Sequence, residues 1–515
     1  MSTAIAKQNS RNVLTEGPVL RKLLGFAIPT ILGNLCMQLY NVVDSVVVGN
    51  FVGTQALAAV GASFSLMMLF NALFMGVSMG SQIVVSQTFG AKNYKQLRKV
   101  INTAISLAFI IGGAITIIGA PLSGPLLRLL GTPEDIFVQA RDYLLIIFLG
   151  TLGNVFFNFG AGALRGQGDS RWPLIAQIVS SVLNIGLDLF FVLVLDWGVV
   201  GVALATSIAH FASGMVLLVR IQTGGYAAKV YVKDLLHPDG ECAKRIFSLG
   251  LPSAIQNAAM SVGSVIIQSF ANSFGSEFIA ANAIVTKADG FAMMPMMGLG
   301  QATTSFVGQN IGAGKMDRAK KGVHTGMLTV IVIAAVMGVI LYITGPYIMM
   351  AFGAAGNVLF MGVSGIHFLA FCYAFIGFDH VVGGSMRGAG VAIAPACTSI
   401  ASNLCRIPIA YFLAARPLRK AIAALIEKMP PELVTKANEY MSTGAYADIE
   451  AAQQAAAANI CSLDHFMGMF YSMGASLFIG AALICAYYKF GKWHNRALKS
   501  TAHANKGMEK PQEEA

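Results

Sequence analysis

Six charged residues lie inside long apolar runs of this sequence: Asp44, Asp188, Lys287, Asp289, Asp379 and Arg406. A carboxylate at the centre of such a run costs about 2.5–3.5 kcal/mol to insert into a membrane. Side chains of this kind usually bind a proton, a cation or another charged group. For Asp44 the alternative is a hydrated position near a helix end, or a hydrogen bond that only stabilises the fold.

The spacing of these residues indicates which of them act together. Asn184 and Asp188 are four residues apart and therefore share one face of a helix, where an amide and a carboxylate can bind a hard cation or share a proton. Lys287 and Asp289 are two residues apart and point to different sides of their helix. Their role stays open between structural pairing and contact with substrate.

Two apparent catalytic motifs are better explained by helix packing. Gly76-x-Ser78-x-Gly80 matches the pattern of a serine nucleophile, but that turn belongs between a strand and a helix, and small residues four apart serve close helix packing. The run 312–315 resembles the end of a phosphate-binding loop, yet Gln309 stands where the first glycine should be. The eight histidines are scattered. We therefore expect neither an enzyme nor a cofactor.

The elements that position these residues must be membrane helices. Of 515 residues, 56% are hydrophobic and only 11% are charged, whereas soluble domains carry about 25% charged residues. Apolar runs of suitable length predict twelve transmembrane helices, near 23–49, 55–89, 97–118, 134–160, 172–195, 198–220, 246–273, 278–310, 319–345, 358–384, 393–415 and 464–490. The expected fold class is an all-α integral membrane protein.

The chain also contains an internal repeat, because distinctive residues recur after 222 positions. The pairs include Gly76 and Gly298, Gln87 and Gln309, Gly90 and Gly312, Arg165 and Arg387, and Pro173 and Pro395. Each half has six helices, an even number, so both halves enter the membrane from the same side and form parallel repeats. Two six-helix lobes around a central cleft, rocking to give alternating access, are the predicted architecture.

Most of the 35 lysines and arginines fall on one side of the membrane if both termini are cytoplasmic. The net charge of +11 then faces anionic lipid, and no nucleic-acid partner is expected. The expected domains are a cytoplasmic N-terminal segment (1–22), an N-lobe (23–220), a cytoplasmic linker (221–245), a C-lobe (246–490) and a cytoplasmic tail (491–515). Residues 416–462 are an extracellular insertion predicted to form two or three short helices.

The sequence resembles the multidrug and toxic compound extrusion (MATE) transporters, in particular their DinF-like branch. The stretches that support the resemblance are 40–44 (YNVVD), 55–61 (QALAAVG), 87–92 (QTFGAK), 164–173 (LRGQGDSRWP), 184–188 (NIGLD) and 201–206 (GVALAT). The resemblance implies that Asp44, Asn184, Asp188 and Thr206 form a proton- or sodium-binding site in the N-lobe and that Tyr40 lines the cavity. No other metal site is expected.

Further residues are assigned by position. The substrate cavity is expected to include Tyr40, Gln38, Asn41, Asn158, Lys287, Asp289 and Asp379, and Arg165 and Arg387 are expected to anchor loops structurally. Another branch of the family, the NorM type, has a coupling acid in the seventh helix. Met260 occupies that position here, so a second-lobe ion site is expected to be lost or altered.

The predicted function is that of a secondary antiporter in the plasma or inner membrane, which exports lipophilic or cationic compounds in exchange for H⁺ or Na⁺. It is expected to act as a monomer in the lipid bilayer. One alternative is a flippase or exporter of a lipid-linked or other endogenous metabolite, which would need a more basic cavity. A second alternative is an enzyme instead of a transporter, one that acts within the membrane. The sequence contains no recognisable set of catalytic residues for it.

Overall fold

The computed structural model describes residues 13–224, 238–443, 448–491 and 493–504, and every regular element in these ranges is a helix. The first half contains α1 Val19–Val47, α2 Thr54–Gly90, α3 Tyr94–Leu129, α4 Glu134–Gly166, α5 Arg171–Leu189 and α6 Gly198–Thr223. The second half begins with α7 Gly240–Asn272, α8 Ser276–Gly312, α9 Met316–Ala351, α10 Gly356–Gly388 and α11 Ile393–Ala410. It continues with α12 Arg416–Lys428, α13 Pro431–Ser442, α14 Ile449–His465 and α15 Met467–Phe490, and α16 Trp493–Ala504 follows.

Twelve of these helices form the membrane bundle, as predicted. Among the described residues, nine helices are long and apolar enough to cross a membrane by themselves. The other three bundle helices, α7, α8 and α11, are the repeat counterparts of α1, α2 and α5, which do meet that criterion. The bundle is therefore two sets of six helices, α1–α6 and α7–α11 with α15.

The repeat is visible in the backbone as well as in the side chains. Three pairs of turn glycines with left-handed φ are each 222 residues apart: Gly53 and Gly275, Gly131 and Gly353, and Gly168 and Gly390. Short π-helices end both α5, at Phe190–Val194, and α11, at Tyr411–Ala415. Because equivalent turns occur in the same chain direction, the two halves are parallel repeats.

Several helices extend beyond their predicted ends, and α3 does so most clearly. The apolar pattern predicted an end near 118, but α3 continues through Pro121 and Pro125 to Leu129. Packing on α4 supports this last part, where the Arg128 guanidinium lies 5.2 Å from the centre of the Phe137 ring. Tertiary contacts thus outweigh the local preference of proline to end a helix.

In the described part of the insertion between α11 and α15 there are three helices, α12, α13 and α14. Their own small core contains Leu433, Ala437 and Ala452. The insertion contacts the bundle at the start of α8, where the Lys436 ammonium lies 3.4 Å from the Glu277 carboxylate. We use "insertion end" for this end of the bundle and "terminal end" for the opposite one, where α1 begins and α15 ends.

The two halves touch along a seam formed by α2 with α7 and by α8 with α1 and α2. The approach is so close that a Cβ at Gly76 would clash with the backbone of Ala254, and one at Gly80 with the backbone of Ile246. Backbone-to-backbone contact of this kind requires glycine. The seam therefore closes the bundle toward the terminal end.

A symmetric pair of hydrogen bonds ties the seam at the terminal end. Gln87 Nε2 donates to the Gly388 carbonyl oxygen at 2.8 Å, and its repeat counterpart Gln309 donates from Nε2 to the Gly166 carbonyl oxygen at 3.0 Å. Gly166 and Gly388 are themselves repeat counterparts, as are the glutamines. This terminal latch, made of Gln87, Gly166, Gln309 and Gly388, explains why the glutamine motif occurs in both halves.

Candidate functional site

The carboxyl groups of Asp44, from α1, and Asp188, from α5, lie within electrostatic range of each other in the first half. Asp188 is completely buried and Asp44 is half-buried. Each helix changes to a π turn within four residues of its aspartate, at Val48–Val52 and at Phe190–Val194, and the two π turns pack together. Local π-helix is frequent at functional sites, and here it accompanies both acids.

Asn184 and Thr206 complete the predicted group. Asn184 Nδ2 donates a hydrogen bond to Thr206 Oγ1 at 3.4 Å, so α6 joins α1 and α5 around the two acids. Tyr40, one turn before Asp44, lies within electrostatic range of both carboxyl groups. The structure thus brings together the four residues for which the family resemblance implied one ion site.

Four oxygen atoms at this site are buried without a hydrogen-bond partner in the described part of the chain: Asp44 Oδ1, Asp188 Oδ1, Asp188 Oδ2 and Asn184 Oδ1. Buried polar atoms in folded proteins nearly always have partners, so unpaired oxygens that converge here suit a proton or a cation. Oxygen donors favour hard cations such as Na⁺. Within the described residues no three His, Cys, Asp or Glu side chains cluster, which leaves only two carboxylates to balance an ion's charge.

Sequence reasoning missed two features of this site. Tyr143 of α4 is buried and lies within electrostatic range of Asp44, Tyr40 and Asp188. A polar stripe on α5, formed by Gln177, Ser181, Asn184 and Asp188, extends the site toward the terminal end. The stripe was detectable, because its spacings of four, three and four residues select one helix face. Tyr143 had no such signal.

The other residues predicted for the cavity in the first half are dispersed. Gln38 reaches across the seam, where its Nε2 would be 3.3 Å from a Cβ at Gly290 of α8, and Asn41 is exposed. Asn158 instead bonds within α4, donating from Nδ2 to the Asn154 side chain at 2.8 Å. Gln38 and Asn41 therefore lie near the seam and the ion site, whereas Asn158 belongs to a separate polar contact.

In the second half, Asp289 faces Tyr373 and Arg406. Asp289 Oδ1 and Arg406 Nε are buried without a hydrogen-bond partner among the described residues, so the two charges interact across a gap. Lys287 points elsewhere, with its ammonium 5.2 Å from the centre of the Phe352 ring beyond α9. The structure thus separates Lys287 from Asp289.

The second half does not repeat the acid pair. At the offset of 222 residues, Arg406 corresponds to Asn184 and the buried Ala410 to Asp188. Arg406 thus supplies a fixed positive charge at the position where the first half has an amide. Asp379 lies apart from Asp289 and accepts a hydrogen bond from Ser399 Oγ at 3.4 Å.

Replacing Arg406 by methionine should destabilise the protein by about 2 kcal/mol, because Asp289 would lose its compensating charge. This is less than the roughly 3–5 kcal/mol typical of breaking a buried pair in direct contact, since here the charges are separated. Thermal unfolding of the purified protein measures the effect, with exposed Arg419→Met as the control. Adding Asp289→Asn to Arg406→Met should recover part of the loss, and further loss would contradict the pairing.

Arg165 and Arg387 end α4 and α10 next to the terminal latch. Arg387 is 9% exposed, and the Nε atoms of both arginines are buried without a hydrogen-bond partner in the described ranges. Their positions beside the latch carbonyls of Gly166 and Gly388 place them at the seam rather than at the ion site.

Comparison with known proteins places this geometry in a family. The family model MatE matches residues 29–190 and again 252–412, one match in each half. The probable multidrug resistance protein YoeA of Bacillus subtilis (strain 168) is 29% identical over 402 residues, which are 77% of this chain and 87% of that protein. The probable multidrug resistance protein YpnP of the same organism is 30% identical over 379 residues, covering 73% and 84% of the two chains.

Among solved structures, an outward-facing multidrug resistance MATE family transporter of the MOP superfamily superposes with a TM-score of 0.76. The superposition covers 92% of this chain and 98% of that one at 21% sequence identity, so it shows a shared fold. Together with the two matches of the family model, which span both six-helix repeats, this shows that the chain belongs to the multidrug and toxic compound extrusion (MATE) family of transporters.

Proposed function

We propose that this transporter is a secondary antiporter that exports lipophilic or cationic compounds across the cell membrane in exchange for H⁺ or Na⁺, acting as a monomer. The observation that supports it most is the buried pair Asp44 and Asp188 with its unpaired oxygens. Relatives named as probable multidrug resistance proteins agree with export of foreign compounds. The DinF-like assignment belongs to the same proposal.

We place the terminal end in the cytoplasm and the insertion end outside, since loops rich in lysine and arginine stay inside. Residues 1–22, 221–245 and 491–515 are then the cytoplasmic segments, 23–220 and 246–490 the two lobes, and 416–462 the extracellular insertion. The seam and the terminal latch close the terminal end, which supports the proposal that the cleft between the halves opens toward the outside in this conformation.

In this proposal, ion binding is coupled to transport through the negative charges of Asp44 and Asp188. With both carboxyl groups ionised, Asp44 and Asp188 place two like charges in a poorly hydrated pocket, which is unfavourable without a compensating cation. One proton or one Na⁺ relieves that repulsion, and the oxygens of Asn184 and Thr206 are further donors for Na⁺. An ion that binds one orientation of the halves more tightly than the other shifts their equilibrium, as exchange requires.

The substrate is expected to bind in the cleft next to this site. Tyr40 presents an aromatic ring beside the acids, and Gln38 and Asn41 add polar contacts near the seam. An aromatic ring together with carboxylates suits a lipophilic cation. Because Asp289 already faces Arg406, and Lys287 lies against Phe352, the second half adds little net charge to the cleft.

Flux in proteoliposomes tests this proposal. A fluorescent lipophilic cation should move against its gradient when a pH or Na⁺ gradient is imposed, and its addition should release H⁺ or Na⁺ in the opposite direction. The gradient that supports uptake identifies the coupling ion. Movement of the compound that neither gradient affects would contradict antiport, and movement of a lipid-linked headgroup instead would favour the flippase.

A further inference from the structure

A cavity of about 560 Å³ lies at the terminal end, between α2 and α3 of the first half, α7 of the second half, and α16. It is separate from the ion site, because Asp44 lies near the opposite end of α1. Its polar wall includes three basic side chains, Lys244, Arg245 and Arg496. Its apolar wall includes Val84, Val100 and Leu249.

The cavity has an excess of positive charge. Among the lining residues that the structure describes, Glu241 is the one acid, against three bases. In the described part of the chain none of the three bases forms a salt bridge, because the ion pairs there involve other residues. Lys244 and Arg496 are exposed at the cavity and can both reach a bound anion.

Arg245 has a different role from the other two bases, since it is held in place. Its Nη2 donates to Gln87 Oε1 at 2.5 Å and to the Ser500 carbonyl oxygen at 3.3 Å. Gln87 belongs to the terminal latch, and Ser500 to α16. Arg245 therefore joins α7, α2 and α16 and presents the rest of its guanidinium at a fixed position.

Hydrogen bonds between the halves also form the edges of the cavity. Gln96 Nε2 of α3 donates to Cys242 Sγ of α7 at 3.4 Å. At the start of α7, Asp239 accepts from the backbone N–H of Cys242 and pairs with Lys99 of α3 at 3.4 Å, and these contacts lower the pKa of the Asp239 carboxyl. The cavity thus exists in this shape only while α3 and α7 are together.

We propose that this cavity binds a phosphate-bearing anion, which holds the two halves and α16 together at the terminal end. Lysine and arginine are the side chains that bind phosphate, and basic pockets between membrane helices bind anionic lipid head groups. The apolar wall suits the glycerol or acyl part of a lipid, while a soluble phosphate would use the basic wall alone. Because the wall comes from both halves, the anion stabilises the conformation in which the terminal end is closed.

The test measures the midpoint temperature of thermal unfolding (Tm) of the full-length protein at increasing concentrations of an added anion. One arm adds phosphatidylglycerol to protein in phosphatidylcholine vesicles, and the other adds inorganic phosphate to the same vesicles. The midpoint of the wild type should rise to saturation with phosphatidylglycerol if the anion is a lipid head group. It should rise with inorganic phosphate as well if the anion is soluble.

The double variant Lys244→Gln/Arg496→Gln should bind the effective probe about 25-fold more weakly, since each removed base contributes about a factor of five near an anionic ligand. The matched control Lys320→Gln/Lys321→Gln removes the same charge from the start of α9 and should titrate like the wild type. Both variants should keep their midpoint in phosphatidylcholine alone. If the double variant does not fold, Arg496→Glu, at an exposed position of α16, replaces it.

Equal responses of the wild type and the Lys244→Gln/Arg496→Gln variant to both probes would overturn the proposal. An equally large loss of probe binding in the Lys320→Gln/Lys321→Gln control would also overturn it. The effect would then depend on total charge and not on this cavity.

Discussion

Replacement of Asp44 or Asp188 by asparagine is expected to abolish ion-coupled transport, with the double variant no worse than either single one. The two carboxyl groups lie within electrostatic range of each other, so in the proposed mechanism either substitution removes charge that the coupling ion would compensate. Asparagine has nearly the same shape as aspartate and relieves the cost of a buried charge, so the variants should stay folded. Their interaction energy should lie toward the upper end of the usual range of about 0.5–3 kcal/mol.

Transport of a fluorescent lipophilic cation in energised vesicles measures both single variants and the double variant. Asp135→Asn is the matched control, because Asp135 is an exposed acid at the start of α4, away from the site. If the two losses multiply, or if Asp188→Asn transports normally, the acids do not form one site. Full transport by Asp44→Asn would remove Asp44 from the mechanism altogether.

Alanine at Gly90 or Gly312 should open the terminal end and stop the transport cycle. A Cβ at Gly90 would clash with the backbone of Gln309, and one at Gly312 with the backbone of Gln87, so the halves cannot approach as they do here. The same displacement separates the glutamines of the terminal latch from their carbonyl partners. The clash is between backbones of different halves, and a change of side-chain rotamer cannot relieve it.

Accessibility of a cysteine in the cleft measures this shift. In a background without the seven native cysteines, Asn41→Cys should react with an impermeant maleimide mainly from the insertion side. In the Gly90→Ala and Gly312→Ala variants, labelling should occur mainly from the terminal side. The ratio of terminal-side to insertion-side labelling should rise at least about tenfold, which corresponds to a shift of about 1.4 kcal/mol in the equilibrium between the two conformations. Gly25→Ala is the control, because a Cβ there has nothing within 4 Å. Unchanged labelling in the Gly90 and Gly312 variants would show that the seam tolerates a methyl group.

Much of this architecture was predictable because the information is local in the chain. Apolar runs of fixed length define membrane helices, and residues that recur at one constant offset of 222 positions reveal the repeat. Asp44 and Asp188 were found because an acid in an apolar run is costly, and Asn184 because it lies one helical turn from Asp188. These signals depend on composition and helix period alone.

Helix ends were less predictable, since α3 continues past two prolines where contacts with α4 support it. The structure also supplied the partners of each polar group. Asp289 faces Arg406, whereas Lys287, two residues away, lies against Phe352. Tyr143 lies within electrostatic range of Asp44 and Asp188, on a helix whose sequence contains no sign of that proximity.

The sequence by itself determined the number of membrane helices, their division into two repeats, and the two membrane-depth acids, Asp44 and Asp188, for which we propose an ion-binding role. Only the tertiary structure decided which helix faces meet across the seam, how Gln87 and Gln309 bond to the opposite half, and how α16 closes a basic cavity beside them. The physical reason is that these contacts depend on the rotation and axial offset of helices far apart in the chain. Those quantities follow from packing of whole surfaces, and no local pattern of residues specifies them.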